Sequence, residues 1–435
     1  MMIRLLKITF ALIFASSIQF LWAQEVSIPD PGLNAAVRDA LHKPTGPLTT
    51  QDLLSLTILD ATSRNITNVS GLEAARNLTI LDLFNNQLTN FTLPAGMTNL
   101  TILDVGFNPL TQCSLPTGLG ELDTLFLEGD QLTDFFLPPG FGKLTQLDLS
   151  ANRLGHFSLN PDMTNLVLLL IFANQLTNLT VPSTLHQLAT LDLDFNQLQN
   201  IDLPVGLPGL GSFIARNNQL TNLIFPSDIT NLNFVDVGDN QLSNLTLPPV
   251  AQRLNFLRLT GNKLTSLRLP SGMTNLSAIF IETNQLTQLT LPSGLTHLVQ
   301  LDLRGNQITN LTLPPDTTNL STVILDDDPI HTLVLSQPMA ANNLAFMATN
   351  LENAGVDVFR YPLVPQLVKA LPLVGAFKFG VTGPPGDYTV LQSTNLSTWT
   401  VLGTTPMPLG AVNFADTNSH DFPQRFYRVM RIADP

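Results

Sequence analysis

Residues able to do acid–base or metal chemistry are present in this sequence but are not gathered. Among the six histidines, His156, His186, His297 and His331 recur at no common spacing, so they do not form a column of metal ligands. The single cysteine, Cys113, stands where equivalent segments carry Leu, Phe or Ile, and reads as buried apolar filler. Asp326-Asp327-Asp328 could attract Ca²⁺, yet it lacks the alternately spaced oxygen ligands of a Ca²⁺ loop and reads as a solvated acidic turn. The sequence contains no H-E-x-x-H, G-x-S-x-G, phosphate-binding loop or dinucleotide fingerprint. The expectation is therefore binding, with no catalytic residue, no metal and no cofactor.

Composition narrows what could be bound. Charged residues make up 12% of the chain, 20 Lys+Arg against 33 Asp+Glu, and the net charge of -13 leaves no basic footprint for nucleic acid. Hydrophobic residues at 44% exclude charge-driven disorder. Phe outnumbers Tyr and Trp by 25 to 3 and 2, so an aromatic surface here would be a phenylalanine surface. Residues 1–23 read as a signal peptide: Arg4 and Lys7, an apolar run from Ile8 to Ile18, then Leu21-Trp22-Ala23. No second apolar stretch is long enough to cross a bilayer, so the mature chain is expected to be exported without a membrane span.

The elements that must position any binding residue come from an internal repeat of 22 residues. Leu78-x-x-Leu81-x-Leu83-x-x-Asn86-x-Leu88 recurs without insertion through Leu298-x-x-Leu301-x-Leu303-x-x-Asn306-x-Ile308. The Asn column reads Asn86, Asn108, Asp130, Asn152, Asn174, Asn196, Asn218, Asn240, Asn262, Asn284, Asn306, Asp328. The leucines point into a coil that no single repeat could bury alone, and an Asn amide can serve backbone groups in neighbouring turns. Asp130 and Asp328 accept but do not donate when ionised, which predicts two weaker rungs. The second half of each unit is again L-x-x-L-x-L, closed by Pro (Leu88, Phe91, Leu93, Pro94), which predicts two short strands per coil and little helix.

This grammar over residues 56–335 resembles bacterial leucine-rich repeats of the variant with L-x-x-L-x-L in both halves. The resemblance implies a β-rich solenoid of about twelve coils with helical caps. The N-terminal cap, 24–55, is similar to that of internalin-like surface proteins. Leu33, Ala36, Val37, Ala40 and Leu41 share one helical face, and Thr49 with Asp52 caps a second short helix. A C-terminal cap occupies 336–361, with a helix from Met339 to Asn353 and a strand over Val356–Phe359. A Pro-punctuated linker, 362–375, leads to an all-β sandwich module, 376–435, similar to C-terminal modules of exported repeat-rich bacterial proteins. The alternation of Phe377, Phe379, Val381 and of Tyr388, Val390, Gln392 carries that reading.

Outward strand positions carry the functional reading. One column runs Asp82, Asp104, Phe126, Asp148, Leu170, Asp192, Ile214, Asp236, Arg258, Phe280, Asp302, Ile324. It predicts stacked like charges at Asp82 and Asp104 and a favourable pair of Asp236 with Arg258. A second column sets Asp194 beside Arg216, and Glu282, Arg304 and Asp326 in succession. Val167 to Ala173 is apolar on both faces. With Phe107, Phe126, Val167, Leu168, Leu170, Phe172, Phe195 and Ile214 it outlines a candidate ligand-binding patch for a protein or glycan at the cell surface. The alternatives are a structural spacer without a ligand, ice binding through the Thr column (Thr89, Thr111, Thr133, Thr177, Thr221, Thr265, Thr287, Thr309), or an enzyme.

Overall fold

The computed structural model describes residues 24–373 and 376–432, and the expected signal peptide, 1–23, lies outside them. The chain divides into two compact units, before and after the junction of Leu188 with Ala189.

In the first unit the helix Pro31–Ala40 is capped by Asp30, whose carboxylate accepts from Leu33 N. Leu33, Ala36 and Val37 are buried, whereas Ala40 is exposed and Leu41 only half-buried, so the apolar face is one turn shorter than the spacing suggests. Thr49 and Asp52 form a reciprocal capping box on the helix Thr50–Leu54. Then follow parallel three-residue strands: Ile58–Asp60, Ile80–Asp82, Ile102–Asp104, Thr124–Phe126, Gln146–Asp148 and Leu168–Leu170. Each is in register with the next at an offset of 22 residues, as in Leu81 opposite Leu103. The central leucine of each points inward and is fully buried, and the flanking residues face out. Each such leucine stabilises by about 1.5–3 kcal/mol.

The second unit continues the pattern with Thr190–Asp192, Ser212–Ile214, Phe234–Asp236, Phe256–Arg258, Ala278–Phe280, Gln300–Asp302 and Thr322–Ile324. The fold is a leucine-rich-repeat β-solenoid. Within the repeats the described residues contain a single short 3-10 turn, Leu72–Ala74.

The turn after each strand is built by one device. The residue before the Asn column has positive φ in every coil, whether it is Gly129, Gly261 and Gly305 or, at a cost, Phe107, Ala151, Ala173 and Phe195. The Asn locks that turn. Asn86 Oδ1 accepts from the backbone N–H groups of Arg64 and Ile66, while Nδ2 donates to Ala61 O, Leu83 O and Phe84 O. Asn240 repeats this with Leu220 N, Ala215 O, Val237 O and Gly238 O, and Asn174, Asn218, Asn262 and Asn284 do likewise. The outward aspartates have a local task too. Asp82, Asp104, Asp148, Asp192, Asp236 and Asp302 each accept from the backbone N–H two residues on.

The second strand of each coil is intermittent, not universal as expected. Strands pair at Asn90–Thr92 with Gln112–Ser114, at Asn222–Ile224 with Asn244–Thr246, and in a four-stranded run of Leu289–Thr290, Asn310–Thr312, Thr332–Ser336 and Asp357–Tyr361. Where both inward residues are Phe, as at Phe135 and Phe157, the stacked rings hold their centroids 6.4 Å apart. No strand forms there, nor, beyond single bridges, around Leu179, Ile201 and Leu267. The first pair instead sets bulky Phe91 opposite small Cys113.

The C-terminal cap carries two helices, Gln337–Ala341 and Ala345–Asn353, where one was expected, and the strand Asp357–Tyr361 joins the back sheet. The stretch 362–375, expected to be a linker, contains the strand Gln366–Leu373. It pairs antiparallel with Ala376–Thr382, and Ala411–Asp416 completes that sheet. Pro372 is tolerated because this is an edge strand with a shift in register between Val368 and Leu371. A second sheet orders Thr400–Met407, Gly386–Ser393 and Phe426–Arg431. Phe379, Val381, Tyr388, Val390 and Met407 are buried between the two sheets. Gly410, at φ 77°, lets this module approach the cap closely, since a Cβ there would lie 2.6 Å from Tyr361.

Candidate recognition surface

Outward residues of the front strands are the functional candidates, and their placement can be read rung by rung. In the first unit Phe107 is exposed, its ring 5.1 Å from that of Phe84 and lying over Gly129. Val167 is exposed, while Phe126, Leu168, Leu170 and Phe172 are half-buried. Leu168 and Leu170 pair with Gln146 and Asp148, so Asp148 stands between Leu170 and Phe126 and interrupts the apolar patch. In the second unit Phe195 is exposed, and Ile214 is half-buried between Asp192 and Asp236.

A denser aromatic group lies in the second unit across two columns: Arg258 and Phe280 stand in the outward column read from the sequence, whereas Phe234 and Phe256 stand one position earlier, outside it. Phe234 and Phe256 occupy the first outward position of their strands and stack with centroids 4.6 Å apart and planes 5° from parallel. Phe280 adds a third ring 5.3 Å from Phe256. The Arg258 guanidinium lies over both Phe256 and Phe280, at 5.3 and 5.1 Å, and pairs with Asp236 at 3.4 Å, as the column predicted. Listing the first outward position coil by coil would have found it: Thr190, Ser212, Phe234, Phe256, Ala278.

The other expected charge pairs are rearranged. Asp194 accepts from the backbone N–H of Arg216, while the Arg216 guanidinium reaches forward to Asp239 at 2.8 Å. The backbone turn claims the Asp194 oxygen, so the side chain must go elsewhere. Arg304 folds back on Asp302 of its own strand with two bonds of 3.0 and 2.7 Å, instead of bridging Glu282 and Asp326. Of the acidic triplet, Asp326 and Asp327 are exposed, but Asp328 is half-buried and accepts from Ile308 N as a rung of the Asn column.

Like charges do crowd the first unit. Burial, and then Asp82 and Asp148, push the Asp104 carboxyl up to about 6. Burial, then Asp104 and its neighbours, push Glu128 up to about 7. In the second unit burial raises Asp194 to about 7, with Asp192 and Asp236 adding to it. Asp130, inside the coil, is driven furthest, to about 8, chiefly by burial. Cys113 is half-buried, and its thiol is pushed up to about 12, chiefly by burial and then by Asp130. Among the described residues no group of three His, Cys, Asp or Glu side chains could hold a metal ion, and no helix is long and apolar enough to cross a membrane. The Thr column is exposed apart from half-buried Thr309. It runs beside the discontinuous back strands, where Thr111 Oγ1 donates to Thr89 O.

Sequence and structure comparisons agree on the repeat. Residues 76–119 match the family "Leucine Rich repeats (2 copies)", and overlapping segments 123–235, 171–277 and 238–331 match "BspA type Leucine rich repeat region (6 copies)". No curated protein sequence matches the chain significantly. Among solved structures, an internalin (InlF) of Listeria monocytogenes aligns with a TM-score of 0.59 at 22% identity, over 78% of this chain and 98% of that one. The functional domain of InlJ from Listeria monocytogenes aligns with a TM-score of 0.60 at 20% identity, over 83% and 97%. The leucine-rich repeat domain of APL1B aligns at 0.51 and 19%, over 80% and 96%. The InlJ domain is described as including a cysteine ladder, whereas the ladder in this chain is asparagine and its one cysteine stands alone.

Proposed function

The chain belongs to the leucine-rich-repeat family, and on that premise we propose that it is an exported recognition scaffold whose outward strand face binds a protein or glycan at a cell surface. Leucine-rich-repeat scaffolds generally bind protein partners. The observation that carries the reading is the concentration of Phe234, Phe256, Phe280 and Arg258 on adjacent rungs, where a spacer would need only Thr, Asn and Asp. Aromatic rings and arginine together are the side chains that dominate binding hot spots. The inward half of the coils is committed to leucine packing and the amide ladder. Export rests on the basic and apolar N-terminal segment, and the β module then serves as a spacer or docking element.

The test is a binding screen of the full chain against intact cells and their isolated surface proteins and glycans. Saturable binding should be lost in Phe256→Ser with Phe280→Ser and weakened in Leu170→Ser with Phe172→Ser, at unchanged melting temperature. No saturable binding to any candidate would leave a rigid spacer as the function.

A further inference from the structure

A polar groove of about 630 Å³ opens on the strand-entry side of the second unit, lined by Asn233, Arg253, Asn255, Asn275, Ser277 and His297 among others. We propose that it takes an extended, uncharged oligosaccharide, with roughly one sugar ring per coil. This deepens the front-face reading above and rests on it.

Three observations carry the assignment. First, the groove departs from the repeat's own habit. In the equivalent column Thr79, Thr101 and Thr145 turn their hydroxyls back onto a carbonyl of the preceding coil. Asn233 and Asn255 instead reach forward, donating to Arg253 O and Asn275 O, while Ser277 keeps the usual backward bond, its Oγ donating to Asn255 O at 3.1 Å and lying 3.2 Å from Asn255 Oδ1. Planar amides standing proud of the sheet keep a second N–H and an amide oxygen for a ligand, the donor–acceptor pair that a vicinal diol matches. His297 Nδ1 lies 2.6 Å from Thr274 O, which fixes that nitrogen as the donor and leaves Nε2 as an acceptor in the neutral ring.

Second, the charge is wrong for the obvious competitor. In a chain of net charge -13 this groove is lined by no carboxylate, and its one permanently charged side chain is Arg253. A basic peptide would find no carboxylate in the groove to pair with, whereas hydroxyl groups are well served by a guanidinium fork and amides. Third, the spacing fits. The lining recurs at 22-residue intervals, so its polar groups repeat at about 4.8 Å, the separation of paired strands. That is close to the advance of one ring in an extended β-linked sugar chain. Phe234 and Phe256 directly follow Asn233 and Asn255 in the chain, and Val299 is the apolar residue of the groove's own lining.

The experiment is calorimetric titration of the intact chain with β-linked glucose and N-acetylglucosamine oligomers, from disaccharide to hexasaccharide. Affinity should rise by about tenfold or more from disaccharide to tetrasaccharide and then level off, once the coils bearing Asn233, Asn255, Ser277 and Val299 are covered. Asn255→Ala with His297→Ala should weaken the tetrasaccharide by about tenfold or more at unchanged melting temperature, and Asn90→Ala on the back strand should change nothing. Absence of binding, binding without length dependence, or indifference to the paired substitution would each overturn the proposal. If the sugars fail while a surface protein binds and is lost in Phe256→Ser, the sugar assignment falls and the front-face reading stands. If neither binds, both fall.

Discussion

Replacing Asp130 by Asn should stabilise the protein at neutral pH and flatten its pH dependence. Asp130 is 6% exposed and sits in the amide ladder, where Oδ1 accepts from Asn108 N at 2.7 Å and Oδ2 is buried without a partner. Its carboxyl is raised from 3.8 to about 8, chiefly by burial, so the folded chain holds a proton there that the unfolded chain releases. Stability from this group is therefore fully present below pH 4 and is lost as pH rises through about 8. The slope between those limits is about 1.4 kcal/mol per pH unit. Over the roughly three units from pH 4 to 7 the upper bound is about 4 kcal/mol, and relaxation around the carboxyl makes about 2–3 kcal/mol the expected loss. An amide removes the titration and restores a donor to the rung, worth about 1 kcal/mol more. Chemical denaturation of both proteins across pH 4 to 8 reads this, because distant raised carboxyls such as Asp194 cancel in the difference, while Asp104 and Glu128, which repel the Asp130 carboxylate, contribute only through that coupling. Equal slopes in the two proteins, or a less stable Asp130→Asn at pH 7, would refute the reasoning.

Three further outcomes follow from the same geometry. Asn240→Ala strands the Leu220 N–H and removes the donor to three carbonyls, and should cost about 2–4 kcal/mol in denaturant melts, with local loss of amide protection at Leu220. Ala151→Gly should stabilise by about 0.5–1 kcal/mol, the reverse of the usual sign, because Ala151 is held at φ 53°; a lower melting temperature would contradict it. Cys113, with its thiol raised to about 12, should react with a thiol reagent at pH 8 far more slowly in the native than in the unfolded chain, and equal rates would place it at the surface.

The fold was legible because its inward positions admit few solutions. A 22-residue spacing of leucines fixes register, and parallel pairing followed at every front strand from Ile58 to Ile324. The back half was legible only in part: one repeat grammar pairs strands at Leu223 with Leu245 yet forms none around Phe135, Phe157, Leu179 and Ile201, so the inward residues alone do not decide it. Gln366–Leu373 was hidden by Pro365 and Pro372, which read as breaks yet are compatible with an edge strand. On the surface, periodicity showed which residues face out but not where long side chains go. Arg216 and Arg304 both chose partners that column order did not suggest, because backbone N–H groups or nearer carboxylates competed for the expected ones.

The division between fixed and free positions is itself the strongest physical argument for a binding role. Each coil spends its leucines, its Asn and one left-handed residue on closing the turn, and each of these is answerable to the neighbouring coil through hydrogen bonds or packing. The first and third strand positions face away from the leucine core, so their composition is less tightly bound by packing. Aspartate at the third position is explained locally, since it accepts the N–H two residues on. Phe234, Phe256 and Phe280 accept no such backbone bond; they are half-buried against one another, and apolar rings gathered on an outward face in this way are a feature of interaction surfaces. Their clustering on adjacent rungs, beside the two amides that reverse the usual threonine bonding, places two independent departures from the repeat on the same patch.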